Sequence, residues 1–190
     1  MFYRFELDKA LQAAGVLLHA QRGDQLSSLR LLKLLYLADR ESLRLTGRPI
    51  IGNPLVAAAQ GPQHREVAIL LKGEHPEQAV WSQYIDRDWQ VVQLVDDPGV
   101  SELSAQEIET LVDVARQQRE LNDWELVELT RGLPEWRQSY LSGSARPMTL
   151  ADILSALGFS ASDQTTILGE FEDEERLERL LEAKTEAARP

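Results

Sequence analysis

At 190 residues the chain suits one domain, or one domain with an extension. It contains no cysteine, which excludes disulfides, thiolate metal sites and cysteine nucleophiles and fits a reducing cytosol. A net charge of −11 argues against general phosphate-backbone binding, which needs a basic footprint, and favours solubility and basic partners. The charge is uneven: residues 1–100 hold 11 basic and 12 acidic side chains, residues 101–190 hold 9 and 19. The opening MFYRFELDKALQAAG lacks a signal-peptide apolar core, and no run approaches the ~20 apolar residues of a membrane span. The expectation is a cytoplasmic protein.

Leu7, Leu11, Ala14 and Leu18 recur at helical spacing, so a first amphipathic helix is expected, broken at Gly23-Asp24. Ser27 or Ser28 can cap the next helix. That helix is apolar nearly all round, with leucines at 29, 31, 32, 34, 35 and 37, and should be the buried centre of the fold. Gly47 reads as its left-handed stop, with Pro49 just beyond. Residues 50–60 are apolar without a clear period. Pro62 suits a first helical turn, so a short helix is expected from there to Lys72, with Val67, Leu70 and Leu71 inward.

The period then changes. Val80 to Ile85 and Trp89 to Val95 read as a hairpin about Asp86-Arg87-Asp88, closed by Asp96-Asp97-Pro98-Gly99. Ser104 with Glu107, and Asn122 with Glu125, have capping-box spacing. Leu103/Ile108 and Leu121/Leu126 stand as the matching staples. The first of these helices should bury Ile108, Leu111, Val112 and Ala115; the second should stop at Gly132, before a turn at Leu133–Trp136. Met148-Thr149-Leu150-Ala151-Asp152 reads as the start of a short helix through Leu157, ended by Gly158. Ser162 to about Glu182 reads as an acidic helix docked on one stripe, or a peripheral arm. The expected fold is mainly α with a small antiparallel hairpin or sheet (α+β), a compact helical domain around the buried central helix. The expected division is residues 1–158 for the domain and 159–190 for an acidic helical extension.

Catalytic chemistry has no motif to rest on. The three histidines fall in no metal-ligand pattern, and GxSxG, P-loop and GxGxxG patterns are absent. His64-Arg65-Glu66 is the one cluster that invites a catalytic reading, and a solvated helix start explains it as well. Trp81, Trp89, Trp124 and Trp136 read as core or rim. No catalytic residue, cofactor or metal is expected.

Leu32-Lys33-Leu34-Leu35-Tyr36-Leu37-Ala38-Asp39-Arg40-Glu41, then Gly47-Arg48-Pro49-Ile50, then Gly61-Pro62, resembles the Panacea domain of SocA-like antitoxins. The Leu103–Ile108 helix start, Leu126, Leu129-Thr130, Leu133–Trp136 and Met148–Leu154 resemble later segments of that family, over about residues 29–157. Lys33, Tyr36, Gly47, Pro49, Gly61, Pro62 and Trp136 carry the structural motif. The sequence departs from it at Ala57-Ala58-Ala59-Gln60, which are smaller than the family's usual residues there. The resemblance implies a mostly helical fold with a small antiparallel sheet. It also implies an antitoxin of a bacterial or phage toxin–antitoxin system, which neutralises an adjacently encoded toxin protein by direct binding. One branch resembles an adaptor delivering its partner to a protease or unfoldase; an acidic DNA-associated regulator is a further alternative. Membrane and nucleic-acid partners are not expected, and oligomeric state is open. Arg40 and Arg44 lie one helical turn apart. With Arg48, His64 and Arg65 they form an expected basic ridge for partner contact, unless they pair with Asp39, Glu41 and Glu66.

Overall fold

The computed structural model describes residues 5–21, 23–52, 54–140 and 145–187. Helix α1 (Leu7–His19) leads through β1 (Gln25–Ser27) into α2 (Ser28–Thr46). Ser27 caps α2 by accepting the Arg30 N–H, and Gly47 ends it at φ 73°, a left-handed value that a side chain would resist. β2 (Leu55–Ala58) and β3 (Gly61–His64) follow, then α3 (Arg65–Lys72), α4 (Gln78–Trp81), β4 (Ile85–Asp88) and β5 (Val91–Leu94). The chain closes with α5 (Ala105–Gln117), α6 (Asp123–Arg131), α7 (Pro134–Ser139), β6 (Arg146–Met148), α8 (Leu150–Ala156) and α9 (Ala161–Ala187). Mainly α with small antiparallel sheets is therefore the observed class.

Both sheets have three strands. One runs β1-β5-β4, the other β3-β2-β6, and every pairing is antiparallel. Helix α2 lies between two apolar clusters. Leu31, Leu34 and Leu35, all fully buried, pack with α1, α5 and the first sheet. Tyr36 and Leu43 on another face pack with β2, α7, α8 and the start of α9. Burial of each such leucine contributes about 1.5–3 kcal/mol, which is why an all-round apolar helix settles at the centre.

The capping boxes at Ser104/Glu107 and Asn122/Glu125 form as expected, and a third forms at Thr149/Asp152. Four expectations are corrected. Pro62 is not in a first helical turn but pairs with Ala57 in β3; α3 begins at Arg65. Proline tolerates this edge strand because the N–H it lacks faces away from the ladder. Leu55–Ala58, without a clear period in sequence, is a strand alternating buried and half-buried residues. The hairpin turns at Trp89-Gln90, two residues later than expected, and Val80 belongs to α4. On α5 it is Val114 that is buried, while Val112 is 41% exposed.

Candidate functional site

The polar residues of α2 are positioned first. Lys33, Tyr36, Asp39 and Arg40 fall at steps of three, six and seven, which places them along one side of an otherwise apolar helix. A buried charged group is tolerated only when its partners are built in. Here each has one. Lys33 Nζ donates to the Pro62 carbonyl at 2.8 Å, and burial pulls its ammonium down to about 7. Tyr36 Oη donates to Glu135 Oε1 at 2.8 Å, and Arg40 Nε donates to the same oxygen at 2.6 Å. Burial, then the Glu135 charge, push the Tyr36 phenol up. Asp39 accepts the N–H groups of Ile50, Ile51 and Gly52 at 3.0, 2.9 and 3.1 Å. Burial raises its carboxyl, while His64 and those three donors pull it back.

The Gly61-Pro62 elbow meets this stripe. Gly61 holds φ +100°, and a methyl group in place of its hydrogen would stand 2.7 Å from Thr130 Oγ1 and 3.3 Å from Lys33 Nζ. His64 follows at 1% exposure. Its Nδ1 donates to the Gly52 carbonyl at 3.0 Å, and its Nε2 lies 3.5 Å from Asp39 Oδ2. Trp136 Nε1 donates to the Ala58 carbonyl at 2.9 Å, fastening α7 to the β2–β3 turn. The motif residues are thus a buried polar spine joining α2, the elbow, α6 and α7.

The five residues of the expected basic ridge do not converge on one surface. Arg40 pairs with Glu135 and is 21% exposed. Arg44 pairs with Glu41 on the same helix at 2.6 Å. Arg48 reaches α9, where it meets Glu174 at 2.5 Å and lies 5.5 Å over the Phe171 ring. His64 is buried beside Asp39. Arg65 is 61% exposed, 3.6 Å from Glu66.

At the other end of α2 lies an open groove of about 780 Å³. Leu29 and Leu32 of α2, Ala58 at the end of β2, Gln60 of the turn that follows, and Ala68 and Leu71 of α3 are among the residues that line it. Lys72, Arg87 and Trp124 also stand in its wall. Arg65 precedes Ala68 and Lys72 on α3 by three and seven residues, so it lies on the groove's side of that helix. The sequence placed Trp124 only as core or rim, and it is 63% exposed; Lys72 and Arg87 went unnoticed because they are far apart in sequence. Thr130 and Glu135 fell within the family-like segments, but their burial beside the α2 stripe and the elbow was not foreseen. The signal that could have exposed them is Lys33 and Asp39 themselves, charges on a helix otherwise fit for a core. Among the described residues no group of three or more His, Asp or Glu side chains could hold a metal ion, and no helix is long and apolar enough to cross a membrane.

The SocA-like antitoxin family, defined by its Panacea domain, matches residues 31–137. That span runs from the first turns of α2 to α7 and contains the whole polar spine. The chain belongs to this family of antitoxins. No curated protein and no solved structure matches it.

Proposed function

We propose that this protein is a non-enzymatic antitoxin. It neutralises a toxin protein, encoded by a neighbouring reading frame, through direct contact in the bacterial or phage-infected cytoplasm. Family membership over residues 31–137 carries the reading. The geometry supports it: Lys33 and Asp39 are buried and bonded to backbone groups, and Arg40 is bonded to the buried Glu135, which suits a scaffold more than a reaction centre. Contact with a toxin then falls to exposed surface, where Arg44 and Arg65 remain from the expected ridge. The net charge of −11 counts against a DNA-associated regulator.

An adaptor that hands its toxin to a protease is the second reading. It needs a second contact surface, and the distal half of α9 offers one: Leu177 and Leu180 are 58% and 57% exposed on an acidic helix. Co-expression with the neighbouring frame tests both readings. Growth rescue with co-purification supports neutralisation by binding; rescue that disappears in a host lacking its unfoldases supports the adaptor.

A further inference from the structure

We propose that the groove at the N-terminal end of α2 is a docking site for an acidic segment of a partner protein, one carrying leucine or aromatic anchors. The inference rests on the antitoxin reading for the partner's identity, the toxin, and on the groove alone for its chemistry.

Three observations set that chemistry. The floor is apolar, made by Leu32, Ala68 and Leu71, and Trp124 stands over it at 63% exposure. An apolar trough beside an exposed tryptophan is the pattern of a protein-contact hot spot. The rim is cationic on a chain whose net charge is −11. Lys72 and Arg87 line the groove, and among the described residues neither stands in an ion pair; the Arg87 guanidinium donates only to the Leu71 carbonyl, at 2.6 Å. The one carboxylate in the wall, Asp123, is already engaged by Arg30 at 3.5 Å and by the Ser27 hydroxyl. An incoming carboxylate therefore meets two uncompensated cations rather than a like charge.

The third observation is the hairpin tip. Trp89 is 85% exposed and holds φ +56°, a left-handed conformation that a bulky residue adopts at a cost. Gln90, its neighbour, lines the groove, and its carbonyl accepts the Ser28 N–H at 2.7 Å, which pins the tip to the start of α2. Trp89 is thus an exposed apolar side chain next in sequence to a groove-lining residue. It extends the apolar contact area available to a partner.

The test uses two synthetic peptides with the same leucine and tryptophan pattern, one with glutamate and one with lysine at the intervening positions. Each is titrated into the full-length 15N-labelled protein. The glutamate peptide should shift the Trp124 indole N–H and the amides of Gln63, Ala68 and Lys72. It should bind at least tenfold more tightly than the lysine peptide. Lys72→Glu with Arg87→Glu should reverse the preference, and Lys72→Glu alone should weaken it. Equal binding of the two peptides, shifts that map elsewhere, or no shift at millimolar peptide would overturn the proposal. A silent neighbouring frame would sink the antitoxin reading and leave the peptide result standing. A toxin neutralised equally well by Lys72→Glu and Trp124→Ala proteins would overturn the groove as the toxin's site.

Discussion

Gly61 is the residue at which one hydrogen atom decides the geometry. Its φ of +100° and the 2.7 Å approach to Thr130 Oγ1 leave no room for a methyl. Gly61→Ala should therefore destabilise the protein by about 3 kcal/mol or more, combining backbone strain with a steric clash against a buried hydroxyl. Urea denaturation reads the change directly; a loss below about 1 kcal/mol would mean that the elbow relaxes freely. Lys33 makes a second prediction. Its folded pKa is lowered to about 7 from 10.5, so between those values the unfolded chain holds more protons than the folded one. Stability should then rise as pH increases from 7 towards 9, by about 1–2 kcal/mol, and level off below pH 7 where both states are charged. Denaturation at pH 7 and pH 9 checks it. Lys33→Met should flatten the slope, while leaving the Pro62 carbonyl without its donor and lowering the overall stability.

At the scale of elements, the first half of α9 carries an anchor. Phe171 is buried at 5% exposure, and Arg48 grips Glu174 across the junction while lying over the Phe171 ring. The two contacts differ in worth. Phe171→Ala should cost about 3 kcal/mol, because it empties a packed site between α8 and α2. Arg48→Ala should cost less than about 1 kcal/mol, because that pair is close to half exposed and solvent-screened. Thermal melts of the two variants measure the difference, and equal losses would contradict the ranking. The contrast also shows what was legible beforehand. Helix starts with capping boxes were readable because the cap and its partner sit three residues apart, as at Ser104 and Glu107. Strand β2 was not, because it is four residues long and gains its third strand from Met148, 93 positions away. Pro62 misled for a different reason: its local preference is a helix start, and pairing with Ala57, five residues earlier in a tight hairpin, overrode it. Of the site, Lys33, Tyr36, Gly61, Pro62 and Trp136 were visible as a motif. Their contacts were not, since Glu135 lies 99 residues from Tyr36 and Pro62 lies 29 from Lys33.

For the whole molecule, the arrangement divides labour along α2. Its middle and C-terminal parts carry the buried spine that fixes α7, the elbow and the Asp39-capped loop at residues 50–52. Its N-terminal end opens into the groove, with Trp124 and the Trp89 hairpin tip exposed nearby. The spine ties the elements behind the groove to one another, so contact with a partner should require little rearrangement. The central proposal is that this scaffold neutralises a toxin by binding it. The most direct measurement places the neighbouring frame and this protein under separate inducible promoters in one bacterial host, followed by co-purification from rescued cells. The account predicts that the neighbour alone arrests growth and that this protein restores growth and co-purifies with it. A toxic neighbour that this protein neither rescues nor binds would contradict it.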